Sequence, residues 1–305
     1  DAALDPAASA YEAMSSMRPE LIAGFLRRYA EMLEEDPGEI CNAASEETGY
    51  GVTPRLRDVE MPRTINQLRL AAAAMEDPSW RMPVFDAEAN IGSLLEPLGP
   101  TAIFSPNNFP LAFNSISGGD FAAAVAAGNP VIAKAHPNHP KTCMLLAQKA
   151  QQAAEKTGMP AGTVQLIYGI SNEDGLKMVR DPRLGAVAFT GSRSAGTRIK
   201  AAADEVGKPV FLEMSSVNPV VLLPNVIKQK SGDLAAELAN SATLGTGQFC
   251  TNPGLVFLVE DDLTESFIAS LVDIYQDTPV QNLLSERTEQ DLVQSIETLV
   301  DAGAT

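Results

Sequence analysis

The chain has 305 residues, 45% of them hydrophobic and 20% charged, with a formal net charge of -17. That is enough apolar material for two domain-sized cores, and it excludes a disordered or fibrous chain. The acidic surplus, with no Lys/Arg block, argues against nucleic acid or an anionic membrane as partner, and the scattered Cys41, Cys143 and Cys250 argue against a disulfide framework or a zinc cluster.

From Arg18 to Asp36, Leu21, Ile22, Phe25, Leu26, Tyr29, Met32 and Leu33 recur at helical spacing, and Pro19 suits a first turn. A second helical region runs from about Pro54 to Met75, in which Pro62 must either start or kink the helix. From about residue 100 the texture changes. Short β-rich runs at Thr101 to Ser105, Val131 to Ala135, Thr163 to Tyr168, Ala186 to Thr190 and Pro209 to Met214 alternate with helical stretches such as Gly119 to Ala127 and Thr142 to Lys156. This spacing predicts βαβ units and a parallel sheet covered by helices. A second series follows: a strand at Val220 to Leu223, a helix at Asp233 to Leu244, a strand at Leu255 to Val259, then two helical segments. There is no fixed-period repeat. No apolar stretch reaches bilayer length, and no basic region followed by an apolar core opens the chain, so neither a span nor a signal peptide is expected. Cysteine usage points to a reducing, cytoplasmic setting. The chain opens at Asp1 rather than Met and stops at Thr305 without an evident cap, so both ends read as cuts.

Candidate sites stand mostly at the ends of these runs. Cys250 lies in Gly245-Thr-Gly-Gln-Phe-Cys-Thr-Asn-Pro-Gly254, a small-residue setting that can expose a thiolate to backbone donors, though it is also compatible with a buried loop cysteine. Ser105-Pro-Asn-Asn-Phe-Pro110 follows a strand and offers Asn side chains to a developing oxyanion, or is plain turn chemistry. Lys134 ends an apolar strand, where open α/β sheets bind ligands. Phe189-Thr-Gly-Ser-Arg-Ser-Ala-Gly196 is a strand-turn-helix run with Gly-x-x-x-x-Gly spacing, suited to an anionic ligand or to any βα turn. Glu213 interrupts the apolar Val210-Phe-Leu-Glu-Met214 as either a general base or an outward residue on a half-exposed strand. His136 and His139, among prolines, read as a solvated loop and not as a metal pair.

Taken in order, Pro106-Asn-Asn-Phe-Pro110, Lys134, Phe189-Thr-Gly-Ser192 to Gly196, Leu212-Glu213 to Asn218-Pro219 and Gly247-Gln-Phe-Cys250 resemble the signatures of the aldehyde dehydrogenase superfamily. Within it, Ala133-Lys-Ala-His-Pro137 and Glu213-Met-Ser-Ser-Val-Asn-Pro219 most resemble the branch of 2-oxoglutarate semialdehyde (2,5-dioxopentanoate) dehydrogenases and some fatty aldehyde dehydrogenases. The resemblance implies an α/β fold: an NAD(P)-binding parallel-sheet domain with N-terminal helices over residues 1–210, and the first part of an α/β catalytic domain over 211–305, with the cysteine near their cleft. It implies that Cys250 is the nucleophile, Asn108 and the Cys250 N–H the oxyanion donors, and Glu213 the hydrolytic base. Lys134, Pro106, Gly191, Ser192 and Gly196 would hold the cofactor. Pro-Asn at 106–107 replaces the commoner Pro-Trp, and Ser215-Ser216 replaces Gly-Gly. Pro137 stands where NAD-preferring members often carry a ribose-binding Glu, so the cofactor expectation is NAD(P), leaning to NADP, with Arg193 or Lys177 available for a 2′-phosphate. The expected partner is a small-molecule aldehyde, with no metal, and the expected assembly at full length is a homodimer or homotetramer. A fragment that binds dinucleotide without catalysing anything is the alternative from another class.

Overall fold

The computed structural model describes residues 1–304. The chain divides into two compact units, Asp1–Met214 and a second beginning at Ser215.

In the first unit, helices α1 (Leu4–Met14), α2 (Pro19–Glu35), α3 (Gly38–Thr48) and α4 (Met61–Glu76) precede the sheet. Pro19 starts α2, where its missing N–H costs nothing. The α2 stripe buries Ile22, Phe25, Leu26, Tyr29 and Leu33 completely or nearly so. Phe25, Tyr29 and Phe121 pack as a cluster with centroids 5.9–6.5 Å apart, and each such side chain is worth about 1.5–3 kcal/mol of burial. The helix expected from Pro54 is instead an irregular π-type run, Val52–Glu60, and Pro62 lies in the first turn of α4. Of the two options left open for Pro62, the chain adopts the start. A hairpin of β1 (Val84–Asp86) and β2 (Ile91–Ser93), unforeseen in the sequence, leaves Val84, Phe85 and Ile91 exposed.

Strands β3 (Thr101–Phe104), β4 (Val131–Lys134), β5 (Val164–Ile167), β6 (Ala186–Gly191) and β7 (Val210–Met214) form one sheet in the order β5-β4-β3-β6-β7, every pair parallel. They are joined through α5 (Gly119–Ala126), α6 (Pro140–Thr157), α7 (Asn172–Arg180) and α8 (Arg193–Asp204). One face of the sheet packs on α1, α7 and α8 through Ala7, Val179, Ile199 and Ala202, against Val187 and Phe189. Helices α5 and α6 contact β3, β4 and β5, with α2 and α4 beyond them. The strand order reverses between β3 and β6, and the carboxyl edge of the sheet at such a reversal is the usual ligand side of an open α/β fold.

The second unit pairs β8 (Asn218–Leu222) with β9 (Pro253–Leu258) in parallel. Helices α9 (Pro224–Thr243) and α10 (Asp262–Asp277) bury Leu222, Ile227, Leu238 and Phe267 on one face of it. Helix α9 begins nine residues before the expected Asp233, because Pro224 fits its first turn, and its backbone departs from helix at Lys230. The other sheet face exposes Val221, Leu255 and Phe257. Helix α11 (Glu286–Asp301) follows, with Ser285 capping its start.

Candidate active site

The sequence-selected residues of the first unit gather along the carboxyl edge of the sheet. Register aligns Phe104 with Lys134 on one side and with Phe189 on the other, and Thr190 with Glu213. Lys134 is half-buried at the end of β4, and its carbonyl accepts from Ser115 Oγ at 3.0 Å. Burial lowers its ammonium below the ordinary value, as expected for a cation with few solvating neighbours. Ser192 caps α8, its hydroxyl accepting from the Ala195 N–H at 3.3 Å. Gly196 is buried for packing reasons: a Cβ there would stand 2.7 Å from the Met214 sulfur and 2.9 Å from its Cγ. The glycine therefore lets α8 close on β7. The exposed start of α8 could hold the anionic part of a dinucleotide, and Lys134 lies at the same carboxyl edge of the sheet, with β3 between β4 and β6.

Glu213 is exposed on the edge strand β7. Val210, Leu212 and Met214 pack on the α8 face, so strand alternation turns Glu213 to the opposite side, where α5 begins. Desolvation and then the Glu213 charge raise the Asp120 carboxyl in the first turn of α5.

Asn108 lies in the irregular segment 105–118 between β3 and α5, which is tied down at many points. Leu111 and Ala112 donate their N–H groups to Glu60 Oε1 at 2.8 and 3.0 Å. Arg55 pairs with Glu60 Oε2 at 2.6 Å and donates to the Asn108 carbonyl at 3.3 Å. The Tyr29 hydroxyl reaches the carbonyls of Ile116 and Leu146 at 3.2 and 3.1 Å. Asn114 Nδ2 donates to the Pro110 carbonyl at 2.8 Å and to Cys143 Sγ at 3.3 Å. Gly118 is required by close approach, since a Cβ would meet Ala112 O, Asn114 O and Phe113 C at 2.8 Å each.

His139 corrects the expectation of a solvated loop. It is fully buried, with Nε2 3.1 Å from the Pro106 carbonyl and Nδ1 3.3 Å from Cys143 Sγ. A carbonyl can only accept, so Nε2 carries the proton, and burial holds the ring below its ordinary pKa. Nδ1 then accepts from the Cys143 thiol. The ring joins the turn after β4 to the turn after β3. Arg55, Glu60 and His139 were not selected from the sequence as site residues. The one available signal was Glu60 as a carboxylate at a helix-facing position ahead of an apolar repeat, which is ambiguous without its partner.

In the second unit Cys250 is exposed, whereas Cys41 and Cys143 are buried. Burial pushes the Cys41 thiol up to about 11 and the Cys143 thiol upward as well, so neither is poised as a thiolate. Before Cys250 the backbone at Gly245, Thr246 and Gly247 is left-handed, with φ of 57°, 60° and 71°. The Cys250 carbonyl accepts from Ser216 Oγ at 2.7 Å and Asn218 Nδ2 at 2.8 Å. Asn218 Nδ2 also donates to Asn252 O at 2.8 Å, and Asn252 Nδ2 donates to Gly247 O at 2.7 Å and Ala242 O at 2.9 Å. The Ser215-to-Pro219 motif thus has a physical role in holding the turn that bears the cysteine.

The sequence profile of the aldehyde dehydrogenase family matches residues 1–296, and the chain belongs to that family. It is 39% identical over 271 residues to alpha-ketoglutaric semialdehyde dehydrogenase 2 of Azospirillum brasilense, covering 85% of this chain and 51% of the relative. It is 33% identical over 290 residues to the alpha-ketoglutaric semialdehyde dehydrogenase of Acinetobacter baylyi, covering 92% and 54%. The chain therefore spans about half the length of these relatives. The fold superposes on the NAD+ complex of an aldehyde dehydrogenase from Bacillus cereus with a TM-score of 0.85 at 24% identity, covering 100% of this chain and 62% of that one.

Proposed function

We propose that the chain carries the cofactor-binding and nucleophile-bearing parts of an NAD(P)-dependent aldehyde dehydrogenase that oxidises 2,5-dioxopentanoate to 2-oxoglutarate. The first unit binds the cofactor, with the boundary moved from the expected residue 210 to Met214 because β7 completes its sheet, and the residues from Ser215 on form the first part of the catalytic domain. The carrying observation is Cys250: it is exposed, it stands in the family motif, and its carbonyl is fixed by Ser216 and Asn218.

In this reading the Cys250 thiolate adds to the aldehyde carbon, and the C=O electron pair moves to oxygen. The Asn108 amide and the Cys250 N–H stabilise that oxyanion. A bound nicotinamide would supply hydride acceptance, and loss of the hydride from the substrate carbon would leave a thioester on Cys250. Glu213 takes a proton from water, the hydroxide adds to the thioester, and the C–S bond breaks to release the carboxylate and restore the thiolate. A base at 213 favours hydrolysis over transfer to CoA. Lys134 and the start of α8 hold the adenosine and pyrophosphate end.

The substrate assignment is supported by the names of the two relatives. The lean to NADP is supported by Pro137 and by Arg193, which is exposed at the first position of α8. Lys177, the other candidate for the 2′-phosphate, pairs with Glu173 at 3.1 Å and Asp174 at 3.4 Å. The test is cofactor reduction by the natural full-length polypeptide, with 2,5-dioxopentanoate against hexanal and each with NAD and NADP. Faster turnover of the dioxo acid, with NADP preferred, is expected. Preference for hexanal would overturn the substrate assignment, and silence with every pair from a folded, cofactor-binding protein would overturn the catalytic reading.

A further inference from the structure

We propose that the ion pair between half-buried Arg55 and buried Glu60 is a positioning device for Asn108, fixing the segment between β3 and α5 so that the Asn108 amide is presented in one orientation. The inference rests on the reading of Asn108 as an oxyanion donor. A donor of that kind acts only if it is held within a fraction of an ångström of its working place, yet Asn108 sits in fourteen residues without regular structure, 105–118.

Glu60 is 1% exposed and 51 residues from Leu111 in sequence. A carboxylate buried to this degree must be compensated. Its partners are the guanidinium of Arg55 and two consecutive N–H groups of the segment itself, Leu111 and Ala112. Arg55 in turn reaches the Asn108 carbonyl with its other terminal nitrogen. The pair therefore grips the segment on both sides of Phe109-Pro110. The guanidinium is itself located by aromatic faces, with its central carbon 4.6 Å from the Phe109 ring centroid and 5.3 Å from that of Tyr50. On the far side Arg63 lies over Phe113 at 4.7 Å, and Phe113 meets Phe109 edge-on at 4.8 Å. An apolar pair of similar volume would fill this space but leave the Leu111 and Ala112 N–H groups without an acceptor. What it would not supply is direction: two N–H groups and one carbonyl of the same segment, each held by a charged partner.

The test uses the natural full-length protein and single-turnover cofactor reduction, which reads formation of the thioester. Glu60→Gln and Arg55→Lys are each made in the wild type and in Asn108→Ala, with thermal unfolding to confirm folding and cofactor titration to read binding. Glu60→Gln is expected to slow thioester formation by about 10- to 100-fold, the range for a misplaced oxyanion donor, while cofactor affinity stays within about twofold. Arg55→Lys keeps a charge beside Glu60 but lacks the second arm to the carbonyl, and is expected to lose about 3- to 10-fold. In the Asn108→Ala background both losses should shrink to about twofold or less, because the group being positioned is gone. Equal losses in the two backgrounds would mean a merely structural pair and would overturn the proposal. A wild-type rate for Glu60→Gln beside an impaired Asn108→Ala would do the same. An unimpaired Asn108→Ala would remove the oxyanion reading and the proposal with it. If Glu60→Gln does not fold, Arg55→Lys decides by the same comparison.

Discussion

Removing the Asn218 side chain isolates what the second unit does for Cys250. In Asn218→Ala the two hydrogen bonds donated by Nδ2 vanish, those to the carbonyls of Cys250 and Asn252, both 2.8 Å, together with the longer one that Oδ1 accepts from Ser216 at 3.3 Å, while Ser216 still donates to the Cys250 carbonyl at 2.7 Å. Each bond is worth about 0.5–1.5 kcal/mol net. Asn218 is half-buried and Cys250 exposed, so water recovers part of that sum, and about 1–2 kcal/mol is the expected loss of local stability. That corresponds to about a 5- to 30-fold larger population of the opened turn. The reporters are the amides of Gln248 and Asn252, which donate to Gly245 O and Phe249 O inside the turn. Hydrogen exchange followed by mass spectrometry over residues 244–252 should show faster exchange there and unchanged exchange in β3 to β7. Ser216→Ala, losing one bond, should give about half the effect. Unchanged protection of 244–252 in Asn218→Ala would refute the argument, because Ser216 or water would then suffice to hold the carbonyl.

Gly118→Ala places a Cβ 2.8 Å from three backbone atoms that cannot rotate away, so denaturant unfolding should report a loss of about 1–3 kcal/mol; wild-type stability would mean that the segment shifts freely. Burial lowers the His136 imidazole from 6.5 to about 3. The unfolded chain therefore binds a proton that the folded one refuses across that window, and stability, complete above pH 6.5, falls as pH drops toward 3. His136→Gln should flatten this limb in pH-dependent unfolding, and an unchanged slope would assign it elsewhere. Arg193→Ala should raise the Kd for NADP by about tenfold or more, the worth of one charge-assisted bond, and leave NAD unaffected; equal changes for both cofactors in titration would exclude a 2′-phosphate contact.

The sheet was legible because the buried parallel strands β3, β4 and β6 read as short apolar runs; β3 through β7 fall within a residue or two of their expected ends. Helix α2 was legible from its stripe, and α6 came within two residues of its expected start. The β1–β2 hairpin was not, since its Asp86-to-Ile91 turn joins three-residue strands with exposed side chains and no alternation to detect. Cys250, Glu213, Asn108 and Lys134 stood out as motifs because their surroundings are local in sequence. Glu60 and His139 did not, because what defines them is a partner far along the chain: Leu111 for Glu60, and the Pro106 carbonyl for His139. The roles of Ser216 and Asn218 were visible only as a motif until the turn they hold could be seen.

In the proposed mechanism Cys250 forms a thioester which Glu213 hydrolyses. Its most direct test is mass spectrometry of the natural full-length Glu213→Gln protein, quenched in acid after mixing with 2,5-dioxopentanoate and NADP. The reading predicts an acyl adduct on the peptide containing Cys250, longer-lived than in the wild type and absent from Cys250→Ser. An adduct on Cys143 or Cys41, or cofactor reduction with no adduct that outlasts the wild type, would contradict it.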